Sequence, residues 1–143
     1  MSTERCVKWE PVAGIECPCA DISFAYRCPS TVSVTMHFSQ VVGGLPRNLI
    51  LTFRGAISLR WESESLDLIS LPEPLPCCAG HWSSWSYPLL RIEHSAWLDI
   101  HEARNPVASK RRTHFALISM NDLLHILALP EVETVWLEAS DAL

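Results

Sequence analysis

Apolar and polar residues alternate most regularly in the middle of the chain, from Asn48 to Glu64 (NLILTFRGAISLRWESE). Leu49, Leu51 and Phe53 share one face, and Ile57, Leu59 and Trp61 keep the same odd parity beyond Gly55. Arg54, Ser58, Arg60, Glu62 and Glu64 fall on the other face, the period-two pattern of a half-buried strand. Two readings fit: a hairpin turning at Arg54-Gly55-Ala56, or one long strand that bends at Gly55. Three-residue hairpin turns favour glycine at their last position, whereas here it stands in the middle. The expectation is therefore a single bent central strand, with Trp61 pointing into the core.

The same alternation recurs in Val32 to Phe38, where Val32, Val34, Met36 and Phe38 oppose Ser33, Thr35, His37 and Ser39. Gly43-Gly44-Leu45-Pro46 then makes a turn-rich connection, so this strand and the central one are expected to be antiparallel neighbours. Upstream, residues 1–30 read as an irregular segment, with turns at Cys17-Pro18-Cys19 and Cys28-Pro29-Ser30 and a short strand near Ile22 to Tyr26. Leu66, Leu68 and Leu71 extend the sheet until Pro72, Pro74 and Pro76 break it, and Cys77 to Ser86 form a loop. A short strand follows at Leu89 to His94, and Ser95 caps a helix over Ala96 to Ala103. Strands are expected at Thr113 to Ser119 and Val132 to Leu137.

Residues 119–129 fit two descriptions. Ser119 and Asp122 are spaced as a variant capping box, which favours a helix; Asn121-Asp122 as a two-residue turn would instead set Phe115 and Leu117 beside Ala128 and Ile126. Periodicity does not separate these, and the hairpin is the one carried forward. The fold class is α+β: a single domain over 1–143 dominated by an antiparallel sheet with one or two short helices, its sheet-based core beginning at residue 31.

Composition narrows the function. A net charge of −5 argues against nucleic acid, whose phosphates need basic surface, and suits a basic protein partner. No apolar run approaches the roughly 18 residues that span a membrane, and the charged start MSTERCVKWE lacks a signal peptide's apolar stretch, so a cytoplasmic protein is expected. In that compartment all six cysteines are expected as reduced thiols.

Little in the chain resembles catalytic machinery. No nucleophile elbow, phosphate-binding glycine loop or HExxH motif occurs, and pairing any cysteine with any histidine carries no information. Cys17, Cys19 and Cys28 are the best candidates for a metal, but Cys-Pro-Cys is a residue shorter than a zinc knuckle and lacks a second one. No metal and no cofactor are expected. Charge is distributed unevenly: Arg104, Lys110, Arg111 and Arg112 cluster in one loop, and Glu131, Glu133, Glu138 and Asp141 follow with no base among them. Glu62, Glu64 and Asp67 form another acidic group, and the same-side pair Glu62 and Glu64 is expected to attract a basic partner. Trp82 and Trp85 offer an aromatic patch as the alternative contact.

Trp82-Ser83-Ser84-Trp85-Ser86 matches the WSXWS signature of class I cytokine receptors, but it stands mid-chain without that family's sandwich and disulfide context. A broader likeness is carried by LTFRGAISLRWESE, SYPLLRIEHSAWL and HFALISMNDLLHILA, over about residues 48–137. In that order they resemble small bacterial proteins encoded near polymorphic toxins, some of them immunity proteins. The resemblance implies a non-enzymatic protein that binds and neutralises a co-encoded toxin, with no catalytic residue to carry over. The alternatives are a metal-binding or enzymatic protein using the cysteine-rich first third, and a homo-oligomer that pairs through sheet edges.

Overall fold

The computed structural model describes residues 3–38, 47–63 and 71–138. Glu64, Asp67, Asp141, the connection at 43–46 and the extension through Leu66 and Leu68 lie outside the described residues. The described strands are β1 (Arg5–Lys8), β2 (Asp21–Arg27), β3 (Thr31–Phe38), β4 (Arg47–Phe53), β5 (Ser58–Ser63), β6 (Leu89–Glu93), β7 (Thr113–Ile118), β8 (Asp122–Ala128) and β9 (Val132–Glu138). One helix, α1 (Ala96–Arg104), and a 3-10 turn at Gly80–Trp82 complete the elements.

The strands form two antiparallel sheets, ordered β1-β6-β7-β8-β5 and β2-β3-β4-β9. The alternation in β3 is fully realised: Val32, Val34, Met36 and Phe38 are all buried. They pair across to Phe53, Leu51, Leu49 and Arg47 of β4. Facing them from the other sheet are Leu89, Phe115, Leu117, Leu124 and Ile126, all in the same core. Phe53 and Phe115 meet edge-on at its centre, ring centroids 5.1 Å apart. Truncating either aromatic would cost about 3–5 kcal/mol.

The Asn48–Glu64 stretch is not one bent strand. β4 belongs to the four-stranded sheet and β5 to the five-stranded sheet, and residues 54–57 carry the chain from one to the other. Gly55 serves the crossing: its φ is +61°, and an added Cβ would lie 2.9 Å from the Leu129 side chain. Its carbonyl accepts from Arg112 Nε at 2.6 Å. The odd parity survives because both strands turn the same residues toward a shared core, from opposite sides. Trp61 keeps that parity, pairing with Leu124, yet is 49% exposed. β5 is an edge strand, with β8 on one side and no strand on the other among the described residues, which leaves Trp61 half in solvent.

The first 30 residues are more ordered than expected. β1 pairs with β6, and Trp9, Val12, Ile15, Cys17 and Cys19 pack into the core between β1 and β2. Residues 119–129 form a hairpin, with Met120-Asn121 at its tip and Phe115 opposite Ile126 and Leu117 opposite Leu124. The register is two residues from the expected one, which leaves every side chain on its predicted face. The capping signal was genuine but local: Ser119 Oγ accepts from Asp122 N at 2.8 Å, as an N-cap does, and the chain then continues as strand.

The five-stranded sheet is covered on its second face as well. Cys6, Leu90, Ile92, Ala116 and Leu123 form a smaller apolar cluster there, under Leu71, Leu75 and Ile118. Helix α1 lies over this face, capped as predicted by Ser95, whose Oγ accepts from Leu98 N at 3.0 Å. No helix among the described residues is long and apolar enough to cross a membrane.

Candidate partner-binding surface

Two histidines are buried on the covered face, one on β7 and one on β8. His114 Nε2 lies 2.7 Å from His125 Nδ1, and His114 Nδ1 lies 2.6 Å from Ser95 Oγ. Because Ser95 Oγ already accepts from Leu98 N, its hydroxyl is placed to donate to His114. His114 Nε2–H then donates to His125 Nδ1, so each ring holds a single proton. The Trp97 ring stands edge-on to both, at 5.1 and 6.0 Å, and Arg60 lies over its face at 5.3 Å. Burial pushes both imidazoles below their ordinary 6.5, His114 to about 3 with His125 and Arg60 adding to the effect, and His125 to about 4 with Arg60 adding and Glu62 opposing. Ser95, His114 and His125 are all buried beneath the helix. A serine beside a histidine is the beginning of a nucleophile pair, but this hydroxyl is committed to the helix cap and to His114, and the residue is buried. The arrangement holds α1 to the sheet.

Of the carboxylates singled out by sequence, Glu62, Glu131 and Glu133 are engaged within the protein. Glu62 Oε1 takes Arg60 Nε at 3.1 Å and lies 3.9 Å from His125 Nε2. Glu131 pairs with Arg111 at 2.5 Å, and Glu133 with Arg54 at 3.0 Å. The basic and acidic groups thus partly answer one another across neighbouring connections, in exposed pairs of small individual value.

Cys17 and Cys19 are buried and Cys28 is exposed. Cys19 precedes β2 and Cys28 follows it, so the length of a seven-residue strand, about 20–25 Å, separates the ends at which they stand. The three do not converge on one ion. Cys19 Sγ donates to the carbonyl of Asp21 at 3.1 Å, and burial pushes its thiol up to about 12. Among the described residues no group of three or more His, Cys, Asp or Glu is disposed to hold a metal.

Trp82 and Trp85 separate in role. Trp82 packs against the main core, whereas Trp85 is 41% exposed, their rings meeting edge-on at 6.4 Å. Trp85 sits at the rim of a hollow of about 170 Å³, lined by Cys19, Ser86, Ile118, Ser119 and Met120 among others. A second hollow of about 180 Å³ adjoins it, sharing Ser86, Ile118 and Ser119 and extending to Leu71, Leu75 and Asp122. Both lie beside the tip of the β7–β8 hairpin, where Met120 is 37% exposed. Trp61 hydrogen-bonds the Asp122 carboxyl; burial nevertheless raises that group above its ordinary 3.8, and the charge of Asp21 adds to the rise.

Sequence reasoning found Trp85 and missed Met120, Ile118 and Asp122. The only signal available for them was the ambiguous hairpin itself, since a turn brings its flanking residues to the surface together. No protein-family model, curated protein or solved structure matches this chain.

Proposed function

We propose that this chain is a non-enzymatic binding domain that docks a basic protein partner at the tip of the β7–β8 hairpin, acting as an immunity protein against a co-encoded toxin. The observation that carries the docking site is the pair of adjoining hollows flanked by Trp85 and Met120. Tryptophan and methionine are enriched in interface centres, and hollows beside them accept a partner's anchoring side chains. Asp122 and Asp21 supply negative charge next to Trp61, which suits an incoming lysine or arginine. The titratable groups of the interior support the non-enzymatic reading, since the Ser95, His114 and His125 set is closed off. The toxin-neutralising role is supported by the likeness of residues 48–137 to immunity proteins.

The test is binding of each protein encoded beside this gene, by calorimetry, together with protection of cells expressing that protein. Trp85→Ala and Met120→Glu should each weaken the complex by about tenfold or more and reduce protection, without loss of fold. Full affinity in both variants would move the site elsewhere. Absence of binding to any neighbour would remove the toxin-neutralising role.

A further inference from the structure

β2 is the edge of the four-stranded sheet, with β3 on one side and no strand on the other among the described residues. Its sequence is Asp21-Ile22-Ser23-Phe24-Ala25-Tyr26-Arg27. Edge strands of this length carry a row of unpaired amides and carbonyls, which invite a further strand. Here the side chains are exposed where a covered strand would hide them. Phe24 is 41% and Tyr26 64% exposed, although their partners Val34 and Val32 on β3 are buried.

We propose that β2 pairs with β2 of a second copy, antiparallel and about a two-fold axis through Phe24, joining two four-stranded sheets into one of eight. The strand is complementary to itself in this register alone. Centred on Phe24, Asp21 meets Arg27 of the second copy at both ends, Ile22 meets Tyr26, Ser23 meets Ala25, and the two Phe24 rings adjoin. An axis perpendicular to the sheet keeps the faces matched. The apolar row Ile22, Phe24 and Tyr26 runs on across the junction, and the two ion pairs lie on the opposite face. A slip of one residue sets the apolar row against the polar one. A slip of two shortens the ladder and removes both ion pairs. Parallel pairing would bring like charges together.

The charges are available for this. Neither Asp21 nor Arg27 has an ion-pair partner among the described residues, whereas Arg54, Arg60 and Arg111 each have one. Asp21 also faces Asp122, whose carboxyl its charge disturbs. An arginine arriving from the second copy would stand beside Asp21 and ease that repulsion.

Sedimentation velocity on the intact chain, over a concentration series, tests the proposal. The protein should sediment as a dimer. Asp21→Arg places two arginines together at each end, and Arg27→Asp places two aspartates together, so each variant alone should weaken dimerisation by about tenfold or more. The double variant D21R/R27D restores both pairs and should dimerise as the parent does. An equimolar mixture of the two single variants should form a heterodimer, since one copy then carries only arginines and the other only aspartates at these positions. Circular dichroism on each variant establishes that the fold is kept. A monomeric parent protein, single variants that dimerise undiminished, or a mixture that stays monomeric would each overturn the pairing.

Discussion

Lowering the pH from 7.5 to 4.5 should destabilise this protein steeply, and the two buried histidines set the size of the effect. Folded, they hold their neutral forms down to about 3 for His114 and about 4 for His125. Unfolded, both take up a proton near 6.5. Between those limits the unfolded chain binds more protons than the native one, so stability falls as pH falls, and the loss levels off once the native rings also protonate. At pH 4.5 each ring is about two pH units below its unfolded midpoint, which costs roughly 2–3 kcal/mol apiece and on the order of 5 together. That is comparable to the whole stability of a marginal domain. Urea unfolding followed by tryptophan fluorescence at intervals of half a pH unit would measure the slope. It should approach about 2.7 kcal/mol per pH unit near pH 5, the value for two protons. His114→Phe/His125→Leu removes both titrations and should flatten the curve there. Should that variant fail to fold, nitrogen chemical shifts of the native imidazoles give a separate readout: both rings should stay neutral at pH 5.5. A flat stability profile in the parent protein, or rings that titrate near 6.5 while it remains folded, would refute the reasoning.

Two further expectations concern single residues. Trp61→Ala should cost about 1–3 kcal/mol, less than the roughly 3–5 of a core aromatic, since half of the side chain is exposed and the loss is its covered half and one hydrogen bond, to Asp122; a fall in melting temperature typical of a core aromatic would contradict its edge position. Of the six cysteines, Cys28 and Cys77 are exposed and the other four buried, so a disulfide reagent should modify two thiols promptly in the native protein and all six in denaturant. A fast native count of four or more would contradict the burial of Cys6 and Cys19, whose thiols burial pushes up to about 11 and about 12.

The fold was legible where a pattern of period two had only one structural solution. In β3 all four predicted inward residues are buried, and the antiparallel partnership of β3 with β4 is as expected. Ser95 was visible as a cap because a serine before an apolar turn has few other uses. The crossing at 54–57 was not legible, for a physical reason: in a two-layer structure both sheets turn toward one core, so parity runs unbroken through a change of sheet. Gly55 was read as easing a bend, whereas its left-handed φ and the approach of Leu129 and Arg112 are what require glycine. Trp61 shows the same limit, because parity gives the direction of a side chain but not whether its strand lies at the edge of the sheet. The buried histidines were equally hidden. His114 and His125 lie 11 residues apart in sequence, and only the register of β7 against β8 makes them diagonal neighbours.

That register also bears on where the proposed contacts fall. The five-stranded sheet is covered on both faces, by the core and by α1 with Leu71 and Leu75, so its polar side chains are either sealed or carried to its margins. On this sheet that leaves the hairpin tip and the edges accessible. An open edge such as β2 is ordinarily an aggregation hazard, because backbone pairing alone does not choose a register or a number of partners. Charges at the two ends of β2 choose the register, and pairing along the whole edge then limits the number to two. Asp21 and Arg27 are satisfied together only when the whole strand is paired antiparallel with one identical copy, and that pairing uses up the edge of each. The exposed aromatics between them supply apolar area and disfavour a slip of one residue, but do not distinguish the full pairing from a slip of two. A chain keeping Phe24 and Tyr26 while losing the terminal charges should therefore pair more weakly and in more than one register, which makes Asp21 and Arg27, rather than the aromatics, the residues that fix how two copies align.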